Sequence, residues 1–116
     1  MKTNESQIFE LDYYDTENGR SPLIEWLRAL DNMTRAKVVT KIDKLGLGHF
    51  SNCKSVGDGL YELKMNFGPG YRVYYSRVGK KILLLISGGD KGSQKKDIKK
   101  AEEYLKDYRG RHAKAD

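Results

Sequence analysis

Apolar positions along this chain recur first every second residue, then every third or fourth, then every second again, and finally every third or fourth. That succession predicts strand, helices, strands and a last helix. From Gln7 to Tyr13, Phe9, Leu11 and Tyr13 fall on one side, the pattern of a strand at or near a sheet edge. Asp15 to Arg20 is polar and turns at Gly19. Ser21-Pro22 then supplies an N-cap and a proline at the first helical position, where a missing N–H costs nothing. Leu23, Trp26, Leu27 and Leu30 keep helical spacing, and Asp31 caps a second helix whose stripe is Val38, Ile42 and Leu45, ended by Gly46 and Gly48. Two short helices with almost no linker form a hairpin, which must lay its apolar stripe on another layer.

Three strand-like runs follow, Gly59 to Met65, Gly70 to Arg77 and Lys80 to Ser87, separated by Asn66-Phe67-Gly68-Pro69 and by Val78-Gly79. They predict an antiparallel meander. Ile82 to Ile86 is apolar at both parities, which places this strand inside the sheet with both faces covered. Gly88 to Gly92 reads as a turn into a last helix capped by Ser93, with Ile98, Ala101, Leu105 and Tyr108 as its stripe and Lys95, Lys96, Lys99 and Lys100 exposed. The tail from Gly110 is polar and reads as frayed. The element order is β-α-α-β-β-β-α, an α+β domain in which a helical hairpin and a C-terminal helix pack on a small, mainly antiparallel sheet.

Parity in the hairpin separates two sets of side chains. Tyr61, Leu63 and Met65 with Tyr71, Val73 and Tyr75 form the apolar set; Glu62 and Lys64 with Arg72, Tyr74 and Ser76 form the other, expected on an open face. With the turn centred on Gly68, Lys64 faces Arg72, Glu62 faces Tyr74 and Leu63 pairs with Val73. Two cations across a strand pair repel by a few tenths to about 1 kcal/mol. An anion between them would relieve that repulsion.

Length and charge narrow the function. The 116 residues make one domain, with an ordered core expected over about 7–108. The longest unbroken apolar run is five residues, against the roughly 20 needed to cross a bilayer, and no apolar signal core follows Lys2, so the expected location is cytoplasmic, with no membrane partner. One cysteine, Cys53, and two histidines, His49 and His112, are too few for a disulfide scaffold or a structural zinc site. Net charge is +6, but it is uneven: eight Lys/Arg stand against nine Asp/Glu up to Asp58, and fourteen against seven beyond it. A basic second half fits a polyanionic partner such as nucleic acid.

Other local patterns carry less chemistry. Gly88-Gly89-Asp90-Lys91-Gly92-Ser93 has the glycines of a phosphate loop but not the G-x-x-x-x-G-K-[ST] spacing, so it is not a nucleotide P-loop. What it retains is Lys91 beside the free N–H groups of a helix start, which favours a nearby anion. His49 and Cys53 are four apart in a loop-like segment with nothing to fix them as a nucleophile pair. Tyr74, on the open face, is placed to stack on a base or donate to a phosphate. Lys95, Lys96 and Lys99 are candidate RNA-binding cations on the last helix.

Gly59-Leu60-Tyr61-Glu62-Leu63-Lys64, then Gly70-Tyr71-Arg72-Val73-Tyr74-Tyr75, then Leu85-Ile86-Ser87-Gly88-Gly89-Asp90-Lys91 with Gln94, Asp97-Ile98 and Ala101 resemble, in order and spacing, the addiction-module killer proteins. These are the HigB-like branch of the RelE/ParE toxin superfamily, and the resemblance runs from about Ile8 to Tyr108, including the Trp26-Leu27 helix. It implies a small α+β toxin, similar in fold to microbial ribonucleases, that cleaves messenger RNA on the ribosome. It also implies hetero-oligomerisation with a companion antitoxin, often a helix-turn-helix DNA-binding protein, and no cofactor or metal. The superfamily's ParE arm shares the fold and poisons gyrase through a protein interface, so a gyrase inhibitor without nuclease activity is the alternative. Lys64, Arg72 and Lys91 match the family's basic site; Glu62 and Tyr74 are further catalytic candidates. The chain has no histidine within the three motifs, unlike toxins that use one near the C-terminus, and His112 lies in the tail.

The chemistry implied is attack of a ribose 2′-OH on the adjacent phosphate, leaving a 2′,3′-cyclic phosphate. It needs alignment, a proton acceptor and cations where charge grows on the phosphorane. Arg72 suits the scissile phosphate because a guanidinium meets two oxygens at once. Lys64 either shares that charge or, crowded by a neighbouring cation, serves as base; Glu62 is the alternative base, Tyr74 a stacking or proton-donating group, and Lys91 the holder of an adjacent phosphate.

Overall fold

Ser21 and Asp31 start the two N-terminal helices as their side chains predict. Ser21 Oγ accepts from the Ile24 amide at the head of α1 (Pro22–Ala29), and Asp31 accepts from the Thr34 amide at 2.8 Å at the head of α2 (Asn32–Gly46). Arg35 then closes the hairpin. Its Nε donates to Leu27 O at 2.8 Å and its Nη2 to Leu30 O at 2.6 Å, tying the end of α1 to the first turn of α2. The structure is a computed structural model and describes residues 8–115. Gln7, where the first strand was expected to begin, lies outside the described residues.

The sheet has five strands: β1 (Glu10–Tyr13), β2 (Cys53–Gly57), β3 (Leu60–Lys64), β4 (Tyr71–Val78) and β5 (Ile82–Asp90). Their order is β1-β5-β4-β3-β2, with β1 parallel to β5 and the other neighbours antiparallel. The meander and its register are as the parity argument requires, with Lys64 opposite Arg72, Glu62 opposite Tyr74 and Leu63 opposite Val73. β1 is an edge strand and β5 an inner one. The element order is corrected at one place, because β2 occupies a segment read as loop. Cys-Lys-Ser-Val-Gly has little apolar content, and its exposed edge position demands little.

Helices cover the sheet on both faces. α1 and α2 lie on one, over a core that includes Phe9, Leu23, Leu27, Val38, Ile42, Leu45, Leu63, Val73, Tyr75, Leu83 and Leu85. The last helix, α3 (Gln94–Ala115), lies on the other, over Tyr14, Leu60, Tyr74, Leu84 and Ile86, with Ala101 and Leu105 buried and Ile98 and Tyr108 packed beside them. Tyr13, expected beside Phe9 and Leu11, is partly exposed, and Tyr14 turns into the α3 layer instead. The face expected to be open is therefore closed except at Lys64, and Glu62, Arg72, Tyr74 and Ser76 are all buried beneath α3. Alternating polar residues look the same to a helix packed over them as to water; only the docking of α3 decides.

Two further expectations are corrected at the C-terminal end of β5. Gly88 and Gly89 belong to the strand and pair with Val73 and Arg72. A short 3₁₀ turn (Lys91–Ser93) leads into α3, and its cap is Asp90, whose carboxylate accepts from the Ser93 amide at 3.2 Å, while Ser93 Oγ donates to Asp97. α3 also continues through Gly110 to Ala115, past the point at which the tail was expected to fray. Its last turns are pinned by side chains: Arg111 donates to Asp107 and to Asp15 O, and Tyr14 donates to Asp107. Among the described residues no helix is long and apolar enough to cross a membrane.

Candidate active site

Three strands meet the start of α3 at one end of the sheet, and the candidate cations gather there. Cross-strand pairing sets Lys64, Arg72 and Gly89 in one row on the α3 face. Lys91 comes two residues after Gly89 and closes on the same place: a Cβ built on Gly70 would lie 3.2 Å from Arg72 Nη1 and 3.5 Å from Lys91 Cβ. Gly70, in the left-handed region at φ +81, leaves the space in which these two side chains approach. Lys64 and Lys91 are exposed, whereas Arg72 is 5% exposed. Arg72 Nη1 donates to Gly70 O at 2.7 Å, Nε faces Glu62 Oε2 at 3.6 Å, and among the described residues Nη2 makes no hydrogen bond.

Behind this row lies a second, formed by Glu62, Tyr74 and Ser87, paired laterally across β3, β4 and β5. Among the described residues each has a buried oxygen without a hydrogen-bond partner, and the buried Nε nitrogen of Arg72 has none either. Glu62, 1% exposed, is the most heavily contacted: Gln94 Nε2 donates to its Oε2 at 2.7 Å, and Lys54 Nζ lies 3.9 Å from its Oε1. Burial, with the Glu62 and Asp97 carboxylates nearby, pushes the Tyr74 phenol far above its usual range, so it stays protonated. Tyr74 has no exposed surface and offers no face on which a base could stack.

The remaining candidates distribute simply. Lys95, Lys96 and Lys99 are exposed on the first turns of α3. His49 is exposed and Cys53 begins β2, where burial raises its thiol pKa. A groove of about 660 Å³ between the β2–β3 turn and α3 takes Lys99, Lys106 and Arg109, but Asp58, Glu102 and Glu103 line it too, so its charges balance. Among the described residues no group of three or more His, Cys, Asp or Glu side chains is placed to hold a metal ion. Sequence reading missed Gln94 and Lys54 as neighbours of Glu62. Gln94 stands among the matched motif residues, but its partner is 32 positions away.

A five-stranded α+β domain with cations gathered beside the start of its last helix is RelE-like in fold. The E. coli toxin RelE, solved in the free state with two arginines replaced by alanine, superposes with a TM-score of 0.54 at 22% identity, covering 76% of this chain and 88% of that one. The family model described as phage derived protein Gp49-like (DUF891) matches residues 25–106, and the chain belongs to that family. An uncharacterized protein of Haemophilus influenzae is 44% identical over 78 residues, covering 66% of this chain and 79% of the relative.

Proposed function

We propose that this chain is the toxin of a toxin-antitoxin pair, of the HigB-like kind, and that it cleaves messenger RNA on the ribosome. The observation that carries the reading is the meeting of Lys64, Arg72 and Lys91 at one end of a RelE-like sheet. In this reading Arg72 presents Nη2 to the scissile phosphate, flanked by the exposed ammonium group of Lys91 and by the exposed Lys64 side chain. The ribose 2′-oxygen bonds to phosphorus as the bond to the 5′-oxygen breaks. The 2′-hydroxyl proton passes to a base, for which Lys64 in its neutral amine form is the exposed candidate, since Glu62 and Tyr74 are sealed beneath α3. The departing 5′-oxygen takes up a proton, and the products are a 2′,3′-cyclic phosphate and a 5′-hydroxyl.

Lys95, Lys96 and Lys99 continue the cationic surface along α3 and take the flanking RNA. The antitoxin, a helix-turn-helix protein in this reading, covers the cationic end or packs beside it, forming a hetero-oligomer in the cytoplasm. Controlled induction tests the proposal. Translated messages should fragment before DNA replication fails, and Arg72→Ala should lose about 10²–10³-fold of the cleavage rate while remaining folded. Full cleavage by folded Arg72→Ala would remove the assignment; double-strand breaks with intact messages would replace the reading with gyrase inhibition.

A further inference from the structure

Glu62 gathers groups from three other elements around one buried carboxylate. Gln94 of α3 donates to Oε2, Arg72 of β4 faces the same oxygen through Nε at 3.6 Å, and Lys54 reaches from edge strand β2 to within 3.9 Å of Oε1. We infer that Glu62 is a positioning residue, which fixes the Arg72 guanidinium from behind and so aims its Nη2 at the end of the sheet. Its effect on the reaction rests on the ribonuclease reading; its effect on the guanidinium does not.

A carboxylate this buried is tolerated only with cations and donors around it. The planar fork has fixed donor directions, so holding Nε toward Glu62 and Nη1 on Gly70 O leaves one orientation for Nη2. The Nε to Oε2 separation is long for a hydrogen bond, and among the described residues neither Arg72 Nε nor Glu62 Oε1 has a hydrogen-bond partner. Such contacts tighten when a ligand pulls on the far edge of the fork. Gln94 fixes the carboxylate in turn, so the first turn of α3 is coupled to the arginine through a single oxygen.

The test is proton exchange at Arg72 Nε–H, followed by NMR on the full-length protein, together with message cleavage on ribosomes. Glu62→Gln keeps the shape and removes the charge. Its Nε–H should exchange at least about fivefold faster than in the wild type. Its maximal cleavage rate should fall about 10–100-fold, with the half-saturating message concentration changed by less than about threefold, because Glu62 does not touch RNA. Gln94→Ala, on a half-buried helical position, keeps the fold if Glu62→Gln does not, and it should speed exchange by a smaller factor. Exchange within about twofold of wild type in both variants would overturn the inference, as would lost cleavage with unchanged exchange. If wild-type protein cuts no message yet the Nε–H responds as described, the ribonuclease reading falls and the positioning of Arg72 stands.

Discussion

Gly88 lies where a side chain would have to share the space of an indole. A Cβ built there would come within 2.6 Å of Trp26 Cζ3 and 2.7 Å of Cδ2, so the bare backbone of β5 is what lets α1 pack down beside Tyr71. Gly88→Ala should therefore cost about 1–3 kcal/mol, read as a lowered urea midpoint with unchanged slope. Gly89 does the same for α3, since a Cβ there would lie 2.7 Å from Asp97 Cγ. In the sequence this pair looks like a turn. Glycine in a strand often marks a close approach, but what approaches comes from distant residues, which no local pattern displays.

At the scale of elements, α3 is held at its near end through Glu62 and at its far end through Tyr14, Asp107 and Arg111. Burial, followed by the hydrogen bond to Asp107, pushes the Tyr14 phenol up to about 12, and the Tyr14 hydroxyl and Arg111 hold the Asp107 carboxyl below its usual range. A phenol raised in the folded state contributes stability that is complete below its ordinary value near 10 and is lost as pH climbs toward 12. The carboxyl has the opposite sign: its contribution is present above the ordinary carboxylate range and lost as acid protonates it. Tyr14→Phe should cost about 1 kcal/mol at neutral pH and flatten the alkaline fall in urea midpoint between pH 10 and 12. The apolar stripe of α3 was legible because its period is local. Its pins were not, because they join residues 93 and 96 apart in sequence. β2 escaped notice for the opposite reason, since an edge strand of small and charged residues has no period to read.

Taken whole, the molecule puts its excess positive charge in its second half, and Lys64, Arg72, Lys91, Lys95, Lys96 and Lys99 all belong to it. On the ribonuclease reading three to six of these cations contact phosphates, so log affinity for single-stranded RNA should fall with log salt at a slope of about −2 to −4. A slope near zero would mean that phosphates do not meet this surface. The pairing of Lys64 with Arg72 was legible because turn length and parity fix a hairpin's register. The depth of Arg72 was not, because burial beneath α3 is a property of layers rather than of neighbours in sequence.

The parallel seam between β1 and β5 joins Glu10 to Ile82, and Lys91 and the first turn of α3 follow only after it. During synthesis β1 must wait for β5 before this strand pairing can form, and such long-range closure is slow. On the ribonuclease reading, the same order of assembly leaves any nascent fragment that stops before Lys91 without that lysine and without the helix that seals Glu62 and Arg72, so the cationic end is completed only after β5 has been made.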